Sequence, residues 1–369
     1  MKVLICGPVL TEKMEMKLSG ASPASGKYLR NLKRGLELNG VEVSTISYIT
    51  VPIEGDIREF ESKNTSSGVY FFKDKYVLPS IFRFRKKLLS MAEKVNVVIF
   101  YNECYAYLGL VKKLSRRGIK SLLILADHTD SFECEGVARK LIAKVNEREY
   151  RSFEYSVILS ENMKKVLKPS AKVILLEGGI NISDYQFYSQ PCYNGKLIIM
   201  YSGILSKVAG VDRLLSSFVQ NNNKDIVLCI SGKGELNDEV VAATKIDSRV
   251  KYLGYLSNEE FYERLSQANI LVNPRNMSME QNKNNFPSKV LEYLASGRIV
   301  ISTRFAGYKR FKDNFYFYDG AAEEFNNIIN IVQRDFKKLS ETTFKKNRED
   351  AKNYDWIRQA RKILDLISG

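Results

Sequence analysis

The chain has 369 residues, 44% of them hydrophobic and 27% charged, and carries a net charge of +15. That length holds two domains with cores of their own, and the apolar content excludes a disordered chain. No stretch approaches the roughly 20 apolar residues that span a bilayer. The opening MKVLICGPVL is too short for a signal sequence, and residues 2–6 read as a buried strand. A loop with Gly20, Ser22, Pro23, Ser25 and Gly26 follows. A helix is predicted over 27–38, with Leu29, Leu32 and Leu36 at helical spacing and Asn39-Gly40 as its stop. Strands are predicted at 41–49, 95–101, 121–126, 156–160 and 172–176, the third apolar as a central parallel strand should be. Residues 183–194 are polar and irregular and read as a linker. Beyond it, strands at 197–201, 226–231, 250–253, 270–273 and 298–302 alternate with helices at 211–219 and 258–267, and the tail is helical. This alternation predicts an α/β fold of two Rossmann-like parallel-sheet domains facing across a cleft at the carboxyl ends of their strands.

Five scattered cysteines, Cys6, Cys104, Cys134, Cys192 and Cys229, form no CxxC pair and read as small core residues in a reducing compartment. The excess of positive charge implies an acidic partner. Residues 81–120 hold ten Lys or Arg against Glu93 and Glu103. Phe82, Phe84, Leu88, Leu89 and Met91 are interleaved with these cations, as a helix lying on an anionic membrane surface would need. A solvated basic face is the alternative, and no nucleic-acid-binding pattern is present.

The stretch NNFPSKVLEYLASGRIVIST, residues 284–303, reads as a helix start that binds phosphate. Backbone N–H groups at a helix start supply partial positive charge without a side chain. Pro287 suits the first helical turn, and Ser288 and Lys289 would present their amides. Glu292 lies four residues past Ser288 on the same face, where a carboxylate accepts both hydroxyls of a ribose. The alternatives are a plain N-cap for Ser288 and an exposed helix acid for Glu292. Gly232 and Gly234 permit close backbone approach, as a tight turn also would. His128, the only histidine, follows the apolar strand at 121–126 and stands where a parallel strand ends; it is either structural or polarises a sugar or binds its hydroxyl.

Taken in order, YSGILSK with Gly210-Val211-Asp212, CISGKGEL, VKYLGYLSNEEFYERLSQANILVNPR and the 284–303 stretch resemble the nucleotide-sugar domain of GT-B glycosyltransferases, and most nearly retaining family 4 in its bacterial polysaccharide-assembly branch. The resemblance implies an acceptor-side domain at 1–185, a nucleotide-sugar domain at 195–350 and a last helix, 351–369, that crosses back to the first and carries Trp356 as a packing anchor. It places Gly26 in the family's glycine-bearing loop after the first strand, Gly203 and Gly232 at the diphosphate, and Tyr255 at the base. Many members have an arginine after the first of these glycines, where this chain has Ile204, so Lys207 and Arg275 would neutralise the diphosphate. Many also have an acid eight residues before the helix acid, where this chain has Asn284, with Glu280 nearby. Catalysis would involve His128, Asn284 and Lys207, with the leaving phosphate taking the acceptor proton. The expected donor is a nucleotide diphosphate sugar, a UDP-sugar first among them, without metal or other cofactor. The expected acceptor is a glycan or lipid-linked saccharide, at the cytoplasmic face of the cell membrane, and nucleic acid is not an expected partner. Rival readings are a nucleotide-sugar epimerase of the same architecture and a non-enzymatic basic nucleic-acid binder. A NAD-linked enzyme is a lesser rival, since no compact GxGxxG follows the first strand.

Overall fold

Strand β1 (Lys2–Gly7) alternates its side chains between two apolar layers, Val3 and Ile5 facing one and Leu4 and Cys6 the other. The computed structural model describes residues 1–11, 14, 23–49, 69–71, 77–102, 107–126, 136–186, 188–279, 282 and 286–369. In chain order β1 is followed by α1 (Pro23–Leu38), β2 (Glu42–Ile49), β3 (Val69–Phe71), α2 (Val77–Ala92), β4 (Val97–Tyr101), α3 (Leu110–Ser115), β5 (Lys120–Leu125), α4 (Val137–Tyr150), β6 (Tyr155–Ile158) and β7 (Lys172–Leu175). The seven strands form one parallel sheet in the order β3-β2-β1-β4-β5-β6-β7. Leu29, Leu32 and Leu36 of α1 fill the layer beneath Val3 and Ile5. Phe84 and Leu88 of α2 fill the opposite layer.

Two sequence expectations change in this part of the chain. Ser25 and Gly26 were expected in a loop, and the structure places both in the first turn of α1, with Gly26 buried. A proline at the helix start, pre-set to the helical φ, lets the helix begin at Pro23. The apolar residues of α2 were expected to face outward. Phe84 and Leu88 are instead fully buried, Leu89 and Met91 pack against the core, and only Phe82 projects, at 71% exposure. Among the cysteines, Cys6 is buried, but Cys229 is half-buried and Cys192 exposed. No helix among the described residues is long and apolar enough to cross a membrane.

The second sheet comprises β8 (Leu197–Ser202), β9 (Ile226–Ser231), β10 (Val250–Tyr252), β11 (Ile270–Asn273), β12 (Ile299–Thr303) and β13 (Tyr316–Tyr318), again all parallel, in the order β10-β9-β8-β11-β12-β13. Its helices are α5 (Val211–Val219), α6 (Asn237–Ile246), α7 (Asn258–Gln267), α8 (Lys289–Ser296), α9 (Ala322–Arg334) and α10 (Phe336–Ala351). Helix α7 starts where its sequence says it should: Ser257 Oγ accepts from the Glu260 amide at 3.2 Å, and Glu260 returns the bond to the Ser257 amide at 2.8 Å. Ile199 and Tyr201 of β8 pack with α5, α6 and α9, and Met200 packs with α7, α8 and α10.

The chain divides into two units, Met1–Gly179 with Asp355–Gly369, and Ile180–Tyr354. The last helix, α11 (Trp356–Ser368), thus belongs to the first unit and packs along α1. The approach is close enough that a Cβ on Gly35 would lie 2.4 Å from the Trp356 carbonyl oxygen. Asp355 caps α11 by accepting from the Ile357 amide at 2.8 Å. Lys120 and Lys172 donate to the carbonyls of Ile367 and Gly369 at its other end, where helix carbonyls favour cations.

Candidate functional site

In the second unit the strand order reverses between β8 and β11, and open α/β sheets bind their ligands at such a point, beyond the carboxyl ends of the strands. The loop leaving β8 and the loop leaving β11 meet there. Gly210, at φ +77°, lies so close to the second loop that a Cβ would sit 2.0 Å from the Pro274 carbonyl oxygen. The Asn276 amide donates to the Val208 carbonyl at 3.2 Å, and the buried Asn282 carboxamide donates to the carbonyls of Val208 and Asn276 at 2.7 and 2.9 Å. From the other side the turn after β9 presses on the same loop. A Cβ on Gly232 would fall 1.7 Å from the Gly203 carbonyl oxygen, so only glycine fits. The Gly203 amide donates to the Ser231 carbonyl and the Leu205 amide to the Lys233 carbonyl, both at 3.0 Å.

Several predicted residues gather around this junction. Gly203 and Gly232 are in backbone contact. Gly232 donates to the Gly254 carbonyl at 2.9 Å, which brings the Tyr255 turn alongside. Tyr255 is 68% exposed, with the Lys233 ammonium 4.7 Å from its ring centroid. The Lys207 amide donates to Glu235 Oε1 at 3.0 Å while its side chain stays exposed. Arg275 comes two residues after β11 ends, and burial pushes its guanidinium pKa down, while neighbouring Tyr201 opposes that shift. Tyr201 itself donates to the Ile204 carbonyl at 2.8 Å, fixing the turn next to the arginine.

Helix α8 supplies the third wall. Ser288 is its N-cap residue, yet its hydroxyl makes no capping bond. Pro287, expected in the first helical turn, instead precedes the N-cap by one residue. The amides of Val290 and Leu291 bond back to Pro287 and Ser288 at 3.0 and 3.1 Å, which leaves those of Ser288 and Lys289 with no backbone partner among the described residues. Lys289 Nζ lies 4.3 Å from the Phe261 ring centroid and 3.9 Å from Glu292 Oε2. The Glu292 side chain is only 13% exposed and stands beside Tyr185, Tyr188 and Tyr293. Burial, and after it the Glu292 charge, holds the Tyr185 phenol far above its ordinary pKa. Burial, and after it the Tyr201 phenol, raises the Tyr293 pKa, while the nearby Ser202 backbone at the end of β8 opposes that shift.

Gly26 lies in the first unit, inside α1. His128, Asn284 and Glu280 lie outside the described residues. Sequence reasoning missed Tyr201, Glu235, Tyr293 and Arg298. Glu235 had a signal, an acid directly after Gly232-Lys233-Gly234, and Tyr293 followed Glu292 in the quoted motif. Arg298 is almost wholly buried and donates to the carbonyls of Leu265, Ser266 and Ser189, burial pushing its pKa down to about 10. Among the described residues no group of three or more His, Cys, Asp or Glu is placed to hold a metal ion.

An anion-accepting helix start, a half-buried guanidinium and a carboxylate, all around glycine-tight turns, suit a phosphorylated nucleotide. Residues 185–361 match the model of the family described as Glycosyl transferases group 1, which makes the chain an enzyme, a glycosyltransferase. No curated protein sequence matches the chain. Among solved structures, Anabaena Alr3699/HepE in complex with UDP is 13% identical, with all of both chains covered and a TM-score of 0.71. Sucrose-phosphate synthase from Thermosynechococcus elongatus is 14% identical, with 100% of this chain and 98% of that one covered and a TM-score of 0.68. The lipopolysaccharide outer core galactosyltransferase WaaB is 14% identical over 100% and 99% of the two chains, with a TM-score of 0.66. At these identities the likeness is one of fold: two Rossmann-like parallel-sheet domains of the GT-B glycosyltransferase type.

Proposed function

We propose that the protein moves a sugar from a nucleotide diphosphate sugar to a glycan acceptor with retention at the anomeric carbon, the acceptor being lipid-linked and the product a surface polysaccharide. The observation that carries this reading is the junction at the second sheet's switch point, where Gly210 and Gly232 press against the backbone carbonyls of Pro274 and Gly203 and leave no room for a side chain. In this reading the Ser288 and Lys289 amides hold the diphosphate, Lys207 and Arg275 neutralise it, Glu292 accepts the ribose hydroxyls and Tyr255 stacks on the base. Asn284 meets the donor sugar, and His128 polarises it or binds its hydroxyl. The bond from the anomeric carbon to the diphosphate oxygen breaks, the acceptor oxygen bonds to that carbon, and the departing phosphate takes the acceptor proton, so no protein base is required. The UDP and UDP-glucose complexes of Alr3699/HepE, and the description of WaaB as a lipopolysaccharide outer core galactosyltransferase, support a UDP-sugar donor and a cell-surface glycan. A location at the cytoplasmic face of the membrane belongs to the same reading and rests on the cations of residues 81–120.

Thermal unfolding with UDP, GDP, ADP and TDP tests the donor site. One of them at about a hundredfold over its Kd should stabilise the protein by about 2.7 kcal/mol. Glu292→Ala should abolish that response, and His128→Ala should keep it while losing turnover. If none of the four raises Tm, or Glu292→Ala responds like the parent, the reading falls.

A further inference from the structure

Arg298 directly precedes β12 and is 1% exposed. Its side chain donates only to carbonyls: those of Leu265 and Ser266 at the end of α7, and that of Ser189 at 2.7 Å. No carboxylate pairs with it among the described residues. A buried cation without a counter-charge is costly. What this one supplies is geometry, since N–H donors in a rigid plane join separate segments as a flexible ammonium cannot.

The segments it joins lead to Glu292. Ser189 follows Tyr188, and the Arg298 guanidinium stands 5.7 Å from the Tyr188 ring centroid. Tyr188 is fixed from two further directions. Its hydroxyl donates to the carbonyl of Tyr262 in α7 at 2.8 Å, and its own carbonyl accepts from Arg348 Nη1 at 2.8 Å. Its amide donates to the Tyr185 carbonyl at 3.1 Å. Tyr185 is 2% exposed and meets the rings of Tyr188 and Tyr262 edge-on, at 5.5 and 5.7 Å between centroids. The short turn Ile182–Tyr185 packs on α8, the helix that carries Glu292. Burial, and after it Tyr262, pushes the Tyr188 phenol up; Arg298 opposes that shift and Glu292 adds to it. One ring therefore feels both the buried cation and the acid.

We propose that Arg298 is a positioning residue of the transferase: through Tyr188 and Tyr185 it fixes the aromatic wall beside the Glu292 carboxylate, and so sets the grip on the ribose hydroxyls of the nucleotide but not the grip on its phosphates. This rests on the functional reading above, in which Glu292 accepts those hydroxyls. UDP and 2′,3′-dideoxy-UDP differ only in the hydroxyls concerned, and calorimetric titration of both is the test. The parent should bind UDP at least tenfold more tightly, as hydrogen bonds to a charged acceptor allow. Arg298→Lys keeps the charge and loses the fork. It should weaken UDP binding at least tenfold and change dideoxy-UDP binding less than twofold. Tyr188→Leu removes the ring at a half-buried position and should do the same; it decides the matter should Arg298→Lys fail to fold. A role in folding alone would weaken both nucleotides equally. If the parent prefers UDP and the variants keep that preference, or lose both nucleotides alike, the proposal is overturned while the ribose reading stands. If the parent binds the two nucleotides equally, or neither, the ribose reading fails and the proposal falls with it.

Discussion

Gly232 shows how a single missing side chain can decide a site. Its backbone sits at φ +140° with the Gly203 carbonyl where a Cβ would be. No flexible side chain stands there to yield, so Gly232→Ala must move one turn against the other. It should cost more than about 2 kcal/mol of stability and weaken nucleotide binding, read as a lower Tm and a lost ligand-induced shift. A variant as stable as the parent would mean that the two turns are not in contact. The glycines were legible in the sequence because their types and spacing carry the signal. Arg298 was not, because its role comes from partners far along the chain: Ser189 is 109 residues from Arg298. Nothing in a local window says that an arginine will be buried among carbonyls.

Elements whose edges carry a clear local signal were read correctly. Helices α5 and α7 and strands β9 and β11 coincide with their predicted bounds, because Gly210, the Ser257 cap and short apolar runs mark their edges. Five short or unsorted elements were missed, α3, α4 and α6 among the helices and β3 and β13 among the strands. Strands β3 and β13 have three residues each, too few for alternation to register. Helix α4 leaves Val137 and Leu141 largely exposed, so its apolar residues mark no single buried face. Helix α2 was read as a helix, but the direction of its apolar side was not, since interleaved Phe and Arg suit a membrane and a core equally. Substitution distinguishes them. Phe84→Ala should cost about 3–5 kcal/mol as a core truncation, and Phe82→Ser should leave Tm nearly unchanged. Equal effects would contradict the burial described.

At the scale of the whole molecule the net charge of +15 remains the least absorbed observation. Part of the basic stretch is engaged locally: Arg117 pairs with Glu93 at 2.6 Å, Arg85 donates to the Leu108 carbonyl, and Lys120 holds α11. With the apolar side of α2 buried, any attachment to a membrane through this region would be electrostatic. Vesicles containing anionic lipid should therefore retain the protein at low salt and release it as salt rises, and neutral vesicles should not retain it at all. Equal retention on neutral vesicles would point to an apolar contact elsewhere.

The two places where the chain passes from one unit to the other lie next to each other, because the Ile180 amide donates to the Tyr354 carbonyl at 2.9 Å. The segment between them is thus a closed loop inserted into its host, both ends fastened at one spot. Cutting it out and rejoining the flanks would leave the host sheet its final helix, whereas clipping the tail would strip α1 of its cover and spare the insert. Loss of the last fifteen residues is accordingly an injury to the lobe that begins the chain, though it falls next in sequence to the lobe that follows.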